Sequence, residues 1–157
     1  MQNRVKELVE NLGLHPHPEG GFYKEVYRSE TMLDGMNRNL LTSIYFLISA
    51  GNFSRFHRIK SDECWYFHEG DALRIHSISK DGSHSLVDLG TNIPSELPFH
   101  VVPAGTIFGS LLKEEKGYAL VSCAVAPGFS FEDFELFQQD ELVTKYPQHR
   151  AIIERLT

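Results

Sequence analysis

In the stretch GNFSRFHRIKSDECWYFHEGD, residues 51–71, His57 and Glu63 stand on either side of a KSD turn, with Gly51 and Gly70 outside them. A histidine with its ordinary pKa of about 6.5 is a usable neutral base at cellular pH, and a carboxylate beside it can tune its charge. The pair could therefore carry general acid/base chemistry. The same residue types bind transition metals, but such sites draw on three or four protein ligands, and two leave most of the coordination sphere to water. The stretch favours a metal-free acid/base site. The bland alternatives are a packed or hydrogen-bonded His57 and a Glu63 that caps the turn or pairs with Arg55.

Two strands would position these groups. Side chains alternate along a strand, so Arg55, His57 and Ile59 share one face over residues 54–59, and Glu63, Trp65 and Phe67 share one after the turn. Antiparallel pairing across KSD would turn His57 and Glu63 into one cavity. Arg55, Trp65 and the later Phe108 would belong to its wall, and His68 sits beside the site strand. In HPHPEGG, His15 and His17 look like a ligand pair, but Pro16 and Pro18 make a stiff extended loop, and the segment is read as a connection.

The elements around this site read as all-β. FYKEVYRS, LLTSIYFLI, CWYFHEG, LRIHSI, HSLVDLG, FHVVPAG, TIFGSLL, YALVSCAV and DFELF are short runs rich in aromatic and β-branched residues. They are separated by the turn formers NRN, AGN, KDG, TNIPSELP, KEEKG and APG. Many short strands with turns at intervals of roughly 8 to 12 residues predict a barrel or sandwich. At the N-terminus Val5, Leu8, Val9 and Leu12 follow helical spacing, and Gly13 supplies the stop. Near the C-terminus Asp140 is the predicted N-cap of a helix that stops at Pro147, and a second helical run carries Ile152, Ile153 and Leu156.

The chain has 157 residues, enough for one domain spanning 1–157. Its 15 basic and 21 acidic side chains give a formal charge of -6, and with no Lys/Arg run it is not expected to bind nucleic acid. Neither an apolar signal core nor a long apolar stretch is present, so a cytoplasmic protein without membrane attachment is expected. Cys64 and Cys123 are too few and too far apart for a disulfide framework and are read as reduced thiols.

Gly51, His57, Glu63 and Gly70 fall on four of the five places of the first motif of the cupin superfamily, with Ile59 where its second histidine stands. VPAGTIFGSLL resembles the second motif, with Pro103 and Gly105 kept, Phe108 in place of the histidine and Leu112 in place of the asparagine. HPHPEGGFYKEVYRS, LTSIYFLI, FSRFHRIKSDECWYFHEGD, VVPAGTIFG, GYALVSCAVAPGFSFEDFEL and YPQHRAIIERLT are similar to a cupin subgroup of unknown function labelled predicted sugar epimerases. That resemblance implies a double-stranded β-helix, or jelly-roll, with short helices at both ends. It further implies no metal and no cofactor.

The label points to dTDP-4-dehydrorhamnose 3,5-epimerases, in which a strand-borne histidine removes a proton beside a keto group. GFYKEVY resembles their N-terminal segment at Gly21, Phe22, Tyr23 and Glu25. The resemblance implies His57 as the base, and Glu63, expected in the same cavity, is read as the catalytic group that tunes it. The resemblance also implies Glu25, with Tyr23 in the same segment, as a substrate contact, and Arg55, Trp65, His68 and Phe108 are expected from their strand positions to complete the substrate-binding wall. In that family a tyrosine returns the proton and an aspartate orients the histidine; here only Tyr118 falls in the corresponding region, and no aspartate can be assigned. The expected ligand is a small molecule, a sugar or nucleotide-sugar. A binding cupin that turns nothing over is the alternative, and a metal-dependent cupin enzyme a third reading. The GFYKEVYRS strand, long for a barrel edge, predicts a homodimer.

Overall fold

The computed structural model describes residues 2–157. After helix α1 (Gln2–Leu12), which ends at Gly13 with φ +63°, the described residues form eleven strands in two antiparallel sheets. The larger sheet contains β1 (His15–Pro16), β2 (Phe22–Arg28), β3 (Thr42–Ser49), β5 (Asp62–Gly70), β8 (Phe99–Val102) and β10 (Tyr118–Ala126), in the order β1-β2-β3-β10-β5-β8. The smaller contains β4 (Phe53–Arg58), β6 (Leu73–Ile78), β7 (His84–Leu89), β9 (Ile107–Leu112) and β11 (Glu135–Leu136), in the order β11-β4-β9-β6-β7. The two inner faces enclose a core of Phe46, Ile48, Trp65, Leu73, Ile75, Phe108 and Val121, all buried. The strand runs and turn residues predict a barrel or sandwich, and the two facing sheets have the jelly-roll architecture that the resemblance implies.

Helices cover the outside. Leu8 of α1 packs with Leu14 on Leu47 and Leu120, which point out of the larger sheet. At the other end α2 (Gln139–Lys145) and α3 (Arg150–Arg155) bury Leu142, Ile153 and the following Leu156 against Phe56, Ile78 and Ile107. A Leu or Ile taken fully from water contributes about 2 kcal/mol, so these helices are held by packing rather than by their own short length. The cap of α2 is Gln138, not Asp140, which lies in the first turn, where its charge suits the helix dipole. Pro147 opens a 3₁₀ turn, 147–149, that leads into α3. Among the described residues no helix is long and apolar enough to cross a membrane.

The expected pairing of the two site strands does not occur. β4 pairs with β9 and β11, whereas β5 pairs with β10 and β8, so the KSD turn carries the chain from one sheet to the other. His57 and Glu63 still meet, but across the sandwich. The strict alternation expected for 54–59 also fails. The β4–β9 register shifts between Ser54 and His57, where β4 bulges over Gly109. A Cβ on Gly109 would lie 2.7 Å from the Ser54 carbonyl oxygen, so the bulge is seated on a residue without a side chain. It lets Ser54 and His57, three apart, turn to the same partner.

Candidate functional site

A cavity of about 640 Å³ opens between the sheets. Its deep end is polar, built from the turn HPEGG, from β4 and from β5. In the turn, His17 N–H donates to the Gly21 carbonyl at 3.0 Å and Gly20 N–H to the His17 carbonyl at 3.0 Å. Gly20 and Gly21 have φ of +109° and +73°, and a Cβ on Gly20 would lie 2.0 Å from the Phe53 carbonyl oxygen, so only glycine brings this loop against β4. Arg55 N–H donates to the Glu19 carbonyl at 2.7 Å and locks the approach.

The Glu19 side chain is thereby driven into the interior. Its Oε1 accepts from Ser54 Oγ at 2.9 Å, and its Oε2 lies 3.0 Å from His57 Nε2. The other ring nitrogen, Nδ1, is 2.7 Å from the Arg55 carbonyl oxygen; a carbonyl can only accept, so Nδ1 carries a hydrogen. Both nitrogens of His57 are thus engaged by protein. Burial by itself would push the imidazole down, but the charge and hydrogen bond of Glu19, with the charge of Glu63 behind it, outweigh this and hold His57 above its ordinary value. Burial likewise works to raise Glu19, and His57 overcomes it, leaving the carboxyl low. The two form a buried ion pair, with the His57 ring over Phe108 at 4.2 Å between centroids.

Glu63 enters from β5 and is 7% exposed. Desolvation raises its carboxyl to about 7, against the pull of the His57 charge and with added repulsion from Glu19. The neighbouring Cys123 thiol works weakly the other way, lowering it. His17 completes the group. Its Nδ1 accepts from Glu19 N–H at 3.2 Å, which assigns its hydrogen to Nε2, and burial lowers its pKa, so the ring is neutral. The arrangement holds one fixed charge pair, one carboxyl balanced near neutrality and one neutral N–H donor.

Toward the mouth the walls become aromatic. Phe129, Phe131 and Phe134 meet edge to face, Phe129 and Phe131 at 4.9 Å, and Tyr23 stands against His17 at 4.4 Å. Glu25 and Arg28 of β2, with Arg38 and Asn39 of the segment before β3, line the rim.

Of the residues expected from sequence, His57, Glu63, Tyr23 and Glu25 line the cavity. Four do not. Arg55 is turned aside by the β4 bulge and is half-buried, with its Nε unpartnered among the described residues. Trp65 and Phe108 are core residues, packed edge to face at 6.2 Å. His68 lies on the opposite face of β5, exposed and bonded to Ser122, because side chains alternate and Glu63 already faces inward. Tyr118 is also off the site, donating to Glu69. Glu19, which lies 3.0 Å from His57 Nε2, was missed. The signal was HPHPEGG itself: two glycines behind an acid and two histidines mark a close approach as readily as a stiff loop.

The places that hold metal ligands in cupins do not fit an ion here, since Ile59 and Phe108 are buried apolar side chains. Among the described residues no three His, Cys, Asp or Glu side chains gather so as to hold one.

The structure of protein SO0799 from Shewanella oneidensis superposes with a TM-score of 0.92 at 46% identity, covering 97% of this chain and 96% of that one. A hypothetical protein from Leishmania major gives a TM-score of 0.92 at 40% identity, with 97% of each chain covered. The uncharacterized protein YML079W of Saccharomyces cerevisiae is 27% identical over 88% of this chain and 78% of its own length. A variant of oxalate decarboxylase from Bacillus subtilis shares the fold alone, with a TM-score of 0.61 and 18% identity over 92% of this chain and 37% of that one. The family described as cupin superfamily (DUF985) matches residues 6–137. Two facing sheets, a cavity between them and this match agree: the chain belongs to the cupin superfamily, in the DUF985 family.

Proposed function

We propose that the cavity binds a small carbonyl compound, a sugar or nucleotide-linked sugar by resemblance, and moves a proton on the carbon beside the carbonyl. The protein would then be an isomerase or epimerase whose chemistry rests on its own side chains. The observation that carries this reading is Glu63, a cavity carboxyl whose pKa of about 7 populates both protonation states at neutral pH. The ionised carboxylate takes the proton, the C–H bonding pair becomes the enolate double bond, and the carbonyl oxygen receives the negative charge. His17 Nε2–H is the donor for that oxygen, and the His57 imidazolium supplies positive charge nearby. Where the carbon that loses the proton carries a hydroxyl, Glu63 returns the proton to the former carbonyl carbon while the hydroxyl proton passes to the former carbonyl oxygen, so the carbonyl moves by one carbon with no net gain of protons or electrons. Epimerisation needs a donor on the opposite face, a role for which the Tyr23 hydroxyl is available.

This reading changes the part given to His57. With both nitrogens engaged, it acts as a positioning residue that sets the charge beside Glu63, and the carboxyl exchanges the proton. Candidate keto sugars incubated in heavy water should gain deuterium beside the carbonyl with the wild type and not with Glu63→Gln. Equal incorporation by both proteins would refute the assignment. A second reading, a cupin that binds without turnover, is favoured by the same engagement of His57, which is satisfied without a ligand. Saturable binding with no exchange would establish it.

We also propose a homodimer along β2. Beyond Phe22 and Tyr23, which pair with β1, its outer edge is open, and Val26 and Tyr27 are exposed. Light scattering should give twice the mass of the 17.9 kDa chain, and a monomer at micromolar concentration would rule the dimer out.

A further inference from the structure

Every cation at the rim of the cavity is already matched. Arg28 makes a two-pronged pair with Glu25, at 2.9 and 2.7 Å, and its remaining donors go to Asn39 and the Phe129 carbonyl. Arg38 pairs with Asp133 at 2.6 Å and Glu132 at 3.2 Å. Asp133 also takes Lys60 at 3.4 Å. A planar guanidinium held by a carboxylate in this way has used the donors with which it would grip a phosphate. At the deep end the positive charge of His57 is matched by Glu19, and Glu63 can only add negative charge. A phosphate or diphosphate entering this cavity therefore meets more carboxylates than cations, in a protein of formal charge -6.

The unpaired features of the wall are of another kind. Phe131 is 54% exposed at the mouth although it is wholly apolar, and with Phe129 and Phe134 it offers ring surface to the cavity. Such surface suits the C–H face of a sugar ring or another flat apolar ring. Donors left over include His17 Nε2–H, the Tyr23 hydroxyl and the protonated form of Glu63, which suit a carbonyl oxygen and neutral hydroxyls.

We infer that the ligand carries no net negative charge: it is an uncharged ring compound such as a free keto sugar, rather than a phosphorylated or nucleotide-linked one. The carbonyl in that description rests on the isomerase reading. The absence of phosphate rests on the rim pairs alone.

Titration calorimetry at low ionic strength tests the charge, with UDP as the phosphate-bearing probe. The wild type should show no saturable binding up to about 10 mM, and Glu25→Gln, which frees Arg28, should bind UDP at least about tenfold more tightly than the wild type. UDP binding to the wild type with a Kd below about 1 mM would overturn the inference. So would a Glu25→Gln protein that gains nothing, because the rim pair would then not be what excludes phosphate. Heavy-water exchange adds the second arm, using a methyl hexopyranosid-4-ulose and a UDP-linked 4-keto sugar. Exchange with the free keto sugar and not the UDP-linked one is expected. Exchange with the UDP-linked compound would overturn the inference and leave the isomerase standing. Exchange with neither would remove the isomerase, and the UDP titration would still decide the question of charge.

Discussion

Two groups of histidines in this molecule are built to opposite ends. In the cavity, His57 is buried against a carboxylate and keeps its charge. On the smaller sheet His76 of β6 and His84 of β7 stack at 5.2 Å with an interplanar angle of 8°, their Nδ1 and Nε2 atoms 2.9 Å apart. His149 of the C-terminal 3₁₀ turn adjoins them at 5.4 Å. Here burial lowers His76 to about 4, and the neighbouring His84 adds to the shift. The nearby Asp88 counters it only weakly, being held by Arg74, at 2.7 and 2.9 Å, and by Lys113. Two groups of the same residue type thus differ through one buried acid. Where Glu19 is present, a histidine remains charged and sets the balance of a second carboxyl; where no free acid is present, histidines become neutral packing.

The largest test of this contrast is removal of that acid. Glu19→Ala leaves His57 Nε2 and Ser54 Oγ without their partner in a buried site, and a stability loss of about 3 to 5 kcal/mol is expected in urea unfolding. A loss below about 1 kcal/mol would mean that the pair does not organise the cavity.

Next comes Glu63→Gln, read against pH. The folded-state pKa of Glu63, about 7, lies above its ordinary 4.5, so the folded protein holds its proton more tightly. Its favourable contribution is full below pH about 4.5 and is lost as pH rises through about 7, to a total of about 3 kcal/mol. Glu63→Gln should therefore melt higher than the wild type at pH 8, with the gap closing toward pH 5. The outer group has the opposite sign. His76 is depressed from 6.5 to about 4, so the unfolded chain takes up protons first and stability falls as pH drops from 6.5 to 4. Discounted for its partial exposure to solvent, the fall is about 1 to 2 kcal/mol, and His76→Leu should flatten it in acid melts. The smallest effect belongs to His149→Ala. It removes one hydrogen bond, at 2.8 Å to the Gly82 carbonyl, and should cost about 0.5 to 1 kcal/mol by thermal unfolding.

The strands were legible because their aromatic and β-branched runs are broken by turn formers, and this local signal agrees with the final fold. The helices were legible from the spacing of Leu8 and Ile153, although the cap of α2 at Gln138 was not, since it has no side-chain capping bond to advertise it. Less could be read of the site. His57 and Glu63 stood out by their spacing, but the order of strands in each sheet is a matter of long-range pairing, and local pattern is silent on which sheet a strand joins. The bulge that removes Arg55 from the cavity depends on Gly109, which lies in another strand. Glu19 was hidden for a related reason. Its role depends on Gly20 reaching the Phe53 carbonyl, a contact that no periodicity announces.

The central claim is that His57 and Glu19 form a fixed pair and that Glu63 exchanges protons beside it. An NMR titration of the wild type, following the side-chain carboxyl carbon of Glu63 and the ring nitrogens of His57, tests this most directly. The account predicts a Glu63 midpoint near 7, with both His57 nitrogens still protonated through that transition. A Glu63 that is fully ionised by pH 6, with His57 losing its proton near neutrality, would contradict it.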